Sequence, residues 1–146
     1  MNTPVKTTVG PSLKLQRVLA MILLLCQGGI TVTGSLVRVT GSGLGCNTWP
    51  LCHEGSLVPV PGAATAIHQA IEFGNRLLTF VLVAVAAALI LAVFRAGRRT
   101  ELKVLALAMP LGIVAQAVIG GITVRMQLNP WIVGIHFILS AALVAL

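Results

Sequence analysis

The chain contains no tyrosine and no aspartate, and charged residues make up only 9% of its 146 positions. Any carboxylate chemistry therefore rests on glutamate. Charge this sparse, with 57% hydrophobic residues and a mean hydropathy of +1.00, excludes an ordinary soluble globular domain and points to an integral membrane protein. No phosphate-binding loop, nucleotide signature or serine or cysteine nucleophile motif is present. A net charge of +7 raises nucleic acid as a partner. The basic residues, however, stand beside apolar runs, where they read as topology determinants at a membrane face.

What the sequence does have is four apolar runs: Val18 to Val37, Ile67 to Phe94, Val104 to Val124 and Trp131 to Leu146. About 20 helical residues cross a hydrocarbon core of about 30 Å. The first three runs meet that length. The fourth reaches only about 24 Å and ends without a charged or interfacial anchor, which suggests the front part of a longer protein. The expected fold is an all-α integral membrane protein, a four-transmembrane-helix bundle. Residues 1–17 form a cytoplasmic N-terminal segment and residues 18–146 the bundle, with an outer loop at 38–66, a cytoplasmic loop at 95–103 and an outer turn at 125–130. A cleaved signal peptide competes for the first run, since Lys14 and Arg17 precede Val18 to Cys26. Against it, no small-x-small site precedes Gly28-Gly29, and the apolar character continues to Val37.

Lysine and arginine counts set the orientation. Lys6, Lys14, Arg17, Arg95, Arg98, Arg99 and Lys103 fall on one side, and Arg38 and Arg125 on the other. This places the N-terminus in the cytoplasm and the Cys46–Cys52 loop outside the cell membrane. Outside, a disulfide persists. A metal pair is the competing reading, but C-x5-C is not a usual zinc spacing and His53 is the only other soft ligand nearby. His53 itself is expected to be solvated, and Cys26 to be an inert apolar residue.

Gly28-Gly29-Ile30-Thr31-Val32 recurs as Gly120-Gly121-Ile122-Thr123-Val124. Each copy closes an apolar run, precedes an arginine (Arg38, Arg125) and leads to a helix with a histidine (His68, His136). The pattern reads as two similar helical hairpins. Paired glycines let helices approach closely and leave room for a flat, bulky ligand.

In the second run, His68, Glu72, Asn75 or Arg76, and Thr79 share one helical face. An ionised group at the bilayer centre costs about 2.5–3.5 kcal/mol on translocon scales. Glu72 and Arg76, one turn apart, offset each other. An internal ion pair that fixes packing and a functional site are both consistent with this face. His136 stands six residues into the fourth run. Two imidazoles at matching depth suit haem iron; structural histidines and another metal stay open.

The segment Val37-Arg38-Val39-Thr40-Gly41-Ser42-Gly43-Leu44-Gly45-Cys46, followed by Trp49-Pro50-Leu51-Cys52, resembles the outer loop of haem A synthases. Ile71-Glu72-Phe73-Gly74-Asn75-Arg76 is similar to that family's second-helix motif, and Asn129-Pro130-Trp131 leading to His136-Phe137 to the start of its fourth helix. The resemblance runs from about Gln27 to Leu146. It implies a membrane oxidoreductase that converts a methyl substituent of haem O to the formyl group of haem A for terminal oxidases. It also implies an eight-helix architecture in two four-helix halves, of which this chain is the first. The second half is expected to carry another histidine pair and haem B. Membrane lipid, haem O, haem O synthase and oxidase assembly proteins are the implied partners, with a homo-oligomer open and nucleic acid excluded.

Residue by residue, the resemblance makes Glu72 the essential carboxylate, His136 a haem-iron ligand, and Cys46 and Cys52 a disulfide. One position departs. Many family members read Glu-x-x-His-Arg, and Asn75 takes the place of that histidine here. Either His68 substitutes as ligand or the iron is five-coordinate on His136. Arg76 is expected to set the charge of Glu72 or to pair with a haem propionate. The alternative to an enzyme is a haem-binding membrane module, or an inactive half that needs a partner.

Overall fold

A computed structural model describes residues 10–146. Lys6 and the opening of the expected cytoplasmic segment lie outside the described residues. Four helices follow in order: α1 (Leu13–Val39), α2 (Ala66–Arg95), α3 (Thr100–Arg125) and α4 (Pro130–Ala145). Each contains its apolar run except at Leu146. α1 opens one turn earlier than the run at Val18 because Ser12 caps it, its Oγ accepting from the Leu15 N–H at 3.2 Å. Three of the helices are long and apolar enough to cross a membrane, and α4 is a shorter apolar helix.

α1 packs on α2, α2 on α3, α3 on α4, and α4 back on α1. Antiparallel neighbours thus close a four-membered ring, with α2 and α4 across the bundle from each other. Leu23, Leu82, Ala86 and Ile113 form the buried core, flanked by Cys26, Ile30, Val85, Leu89 and Met109. Large apolar side chains also cover the outside: Val32 is 70% exposed, Phe80 72% and Leu111 70%. Helices so apolar on their outer faces suit lipid rather than water.

One end of the bundle is built by the loop joining α1 to α2 and the short turn joining α3 to α4. In that turn Gln127 and Leu128 both adopt positive φ, 49° and 59°, a region most side chains avoid. The strained turn sends the Leu128 side chain onto Gly43; a Cβ at Gly43 would meet Leu128 Cδ1 at 2.9 Å. The same end holds Glu72 and His136, each six residues past the first residue of its helix.

Candidate functional site

Cys46 and Cys52 are joined in a disulfide and both are buried. The closed loop between them turns its carbonyls inward onto Arg76. Nη1 of Arg76 donates to the carbonyls of Thr48 (3.0 Å) and Leu51 (3.1 Å), and Nη2 donates to that of Cys46 (2.9 Å) and to Oε1 of Glu72. Oε2 of Glu72 accepts the Cys46 N–H at 2.8 Å. A guanidinium offers its donors in a fixed planar fork, so one side chain holds three loop carbonyls and a carboxylate together. Glu72 is 5% exposed. Its charge is tolerated because every oxygen has a partner. With both terminal nitrogens committed, Arg76 is better placed to hold the loop and Glu72 than to meet a propionate.

The shared face read for α2 divides in three dimensions. Glu72 and Arg76 meet the loop. Asn75 turns to α1, where its Oδ1 accepts from Thr33 Oγ1 at 2.6 Å. The backbone of His68 lies beneath Gly45, so close that a Cβ at Gly45 would collide with the His68 carbonyl. His68 stands two turns, about 10 Å, nearer the loop end than Asn75. Among the described residues no group of three or more His, Cys, Asp or Glu side chains gathers into a metal site.

His53 departs from its expected solvation. It is 6% exposed, with Nδ1 paired to Asn47 Oδ1 and Nε2 to Gln69 Oε1, both at 3.0 Å. Gln69 also bonds both backbone groups of Val60 and the carbonyl of Ala64. An isolated histidine gives no sequence signal for this. Gln69, an amide in an apolar run one turn before Glu72, gives one.

The repeated glycines in α3 each receive a ring. A Cβ on Gly120 would touch His136 Cε1 at 3.5 Å, and one on Gly121 would run into the indole of Trp49. Arg125 fastens the same tryptophan from above, Nη2 donating to its carbonyl at 3.1 Å. Loop and imidazole therefore rest on adjacent residues of one helix. In the first copy of the repeat, a Cβ on Gly28 or Gly29 would meet nothing within 4 Å. A cavity of about 530 Å³ lies toward the other end of the bundle, lined by Leu23, Gln27, Leu89, Val93, Met109 and Leu143 among others. Neither Glu72 nor His136 lines it.

His136 is half-buried, and its Nδ1 is fully buried with no hydrogen-bond partner among the described residues. A buried imidazole nitrogen left unpaired costs about 1–3 kcal/mol. Imidazole is a common ligand of haem iron, and α2 lies across the bundle from α4 without packing on it. The donor set offers one imidazole, that of His136, whose Cε1–Nε2 edge rests against Gly120. It does not supply a second at Asn75, whose amide is bonded to Thr33.

A polytopic membrane bundle, with a buried ion pair clamped under a disulfide-closed loop and an unpaired imidazole at the same end, is the class these features define. Within that class the chain belongs to the cytochrome oxidase assembly protein family (COX15-CtaA), whose model matches residues 17–146. It is 32% identical to the haem A synthase of Listeria welshimeri over 130 residues, covering 87% of this chain and 41% of that protein. It is 35% identical to the haem A synthase of Geobacillus kaustophilus over 108 residues (73% and 32%) and to that of Macrococcus caseolyticus over 114 residues (76% and 36%). The chain thus spans about two fifths of the length of these relatives or less. No solved structure matches it.

Proposed function

We propose that the chain supplies the substrate half of a haem A synthase, oxidising a methyl substituent of haem O to a formyl group at the loop end of the bundle. Converting –CH3 to –CHO removes four electrons and adds one oxygen, so the reaction needs an electron acceptor and an oxygen source. Bound haem would present the ring-activated methyl carbon at which that oxidation occurs. His136 would hold the iron through its side chain. Glu72, anchored by Arg76 and the Cys46 N–H, would keep a fixed negative charge beside the methyl, where a dry site strengthens its hold on positive charge developing there. Asn75 would leave one face of the iron without a protein ligand, and His68 would stay at the loop.

The lysine and arginine asymmetry supports a loop end outside the cell membrane, where the disulfide persists. The observation that carries the reading is the ion pair of Glu72 with Arg76 at the same helical depth as a half-buried, unpaired His136. Its test is haem extraction from cells expressing the chain and its variants. Glu72→Ala should keep haem bound and abolish formyl product, and His136→Ala should lose the Soret band. Normal haem A from Glu72→Ala overturns the catalytic role.

A second reading is a haem-binding half that turns over only with further helices, favoured by the 41% coverage of its relatives. Bound haem without haem A in cells expressing this chain alone would select it.

A further inference from the structure

We propose that Gln116 is the positioning residue of His136, holding its backbone through the amide N–H and accepting the imidazole Nδ1–H through the amide oxygen when Nε2 binds iron. This rests on the reading of His136 as a haem ligand.

Gln116 is a lone amide within the apolar run of α3. Its Nε2 donates to the His136 carbonyl at 3.0 Å and to Ser140 Oγ at 2.7 Å, and Ser140 Oγ donates to that same carbonyl at 2.9 Å. Two side chains therefore converge on one backbone oxygen of α4. That oxygen already belongs to the helix ladder, and its second lone pair gives the buried Gln116 amide and Ser140 hydroxyl an acceptor. Gly120, which receives the His136 ring, is one turn from Gln116 on the same face of α3. Gln116 and Gly120 thus bracket His136, one at its carbonyl and the other at its ring.

The second observation is independent. Two of the three buried side-chain polar atoms without a partner among the described residues are Gln116 Oε1 and His136 Nδ1. They belong to residues already hydrogen-bonded to each other, and Oε1 shares its carbon with the Nε2 that makes that bond. One is an acceptor. The other becomes a donor as soon as Nε2 is engaged by a metal. Metal-bound histidines pass their second N–H to such an acceptor, which fixes tautomer and ring angle and raises ligand basicity. Oε1 and Nδ1 are not bonded in the structure. The Nε2 edge of the ring lies against Gly120, so on this proposal the imidazole swings off Gly120 to present Nε2 to iron and the amide turns with it, which brings Oε1 and Nδ1 together.

The test uses the purified full chain in detergent with ferrous protohaem as probe, and reads the iron–histidine stretch by resonance Raman together with haem retention. Gln116→Leu should lower the stretch and weaken retention about 10–100-fold. Gln116→Glu, which keeps an acceptor, should hold the stretch at or above the wild-type value. Ser140→Ala removes the Ser140 contacts to the His136 carbonyl and to Gln116 Nε2 but none to the imidazole or to Gln116 Oε1, and should leave the stretch unchanged. An unchanged stretch in Gln116→Leu, or a fall in Gln116→Glu, overturns the proposal. If Gln116→Leu does not fold, Gln116→Glu alone decides it. If His136→Ala shows the wild-type stretch, the ligand reading itself has failed. Loss of the stretch in His136→Ala with no response at Gln116 rejects this inference alone.

Discussion

The backbone N–H of Cys46 donates to Oε2 of Glu72, so a disulfide cysteine and the buried carboxylate of α2 share one hydrogen bond. Glu72 accepts on its other oxygen from Arg76, and Arg76 gathers three carbonyls from the loop that the disulfide closes. Loop, guanidinium and carboxylate stand or fall as a unit.

Opening the disulfide should loosen that unit. The bridge joins residues 6 apart in sequence, and the chain-entropy model assigns about 2 kcal/mol to so short a loop. Cys46→Ser with Cys52→Ser should lower the melting temperature in detergent and raise hydrogen exchange at the Cys46 amide. Unchanged protection at that amide would show that the clamp does not depend on the bridge.

Arg76 and Glu72 should be strongly coupled. Arg76→Leu alone leaves a carboxylate buried without its cation, at a cost of about 3–5 kcal/mol. Glu72→Gln with Arg76→Leu should cost less than the sum of the two single changes. A double-mutant cycle on unfolding free energies measures the difference, and additivity would reject the pair as a stabilising unit. Arg76→Lys should not rescue, because an ammonium cannot span four acceptors in one plane.

The two copies of the glycine repeat should respond differently. Gly121→Ala places a methyl inside the Trp49 ring, and such overpacking costs about 1–3 kcal/mol. Gly28→Ala meets open space and should leave stability nearly unchanged. In a Trp131→Phe background, the fluorescence of Trp49 should shift to the red in Gly121→Ala and stay constant in Gly28→Ala.

His53 should matter to the loop and Glu54 should not. Replacing His53 with Ala leaves Asn47 and Gln69 each short of a partner, at about 1–3 kcal/mol. Limited proteolysis should cut the 53–60 segment faster in His53→Ala. Glu54 is exposed, and Glu54→Ala should digest at the wild-type rate.

If His136 holds a haem as proposed, Asn75→His should change its coordination. It returns an imidazole to α2, across the bundle from His136, and gives up the bond to Thr33. Protohaem bound to this variant should give a six-coordinate low-spin absorption spectrum that differs from that of the parent chain. A spectrum like that of the parent chain would mean that position 75 does not face the iron.

Much of the architecture was legible in the sequence because lipid leaves few choices. Apolar runs of about 20 residues become helices, since in lipid a helix satisfies its backbone hydrogen bonds within one segment. The four runs, the glycine repeat and the Glu72–Arg76 pair one turn apart all follow from linear spacing. What spacing could not show is which side chain faces which element. Residues 68, 72, 75, 76 and 79 project as one face on a helical wheel. Packing sends Glu72 and Arg76 to the loop and Asn75 to Thr33 of α1. His53 is hydrophilic and lies in a loop, so local sequence predicts solvation; Gln69, 16 residues away, buries it. Gly120 and Gly121 are identical in sequence terms to Gly28 and Gly29, yet only the later pair holds rings, those of His136 from α4 and Trp49 from the α1–α2 loop. Composition determined helices and membrane, a matter of each residue's transfer energy. Tertiary structure decided which loop groups the Glu72–Arg76 pair meets, because those hydrogen bonds join residues 25–30 positions apart and form only once the helices and the loop have closed around them.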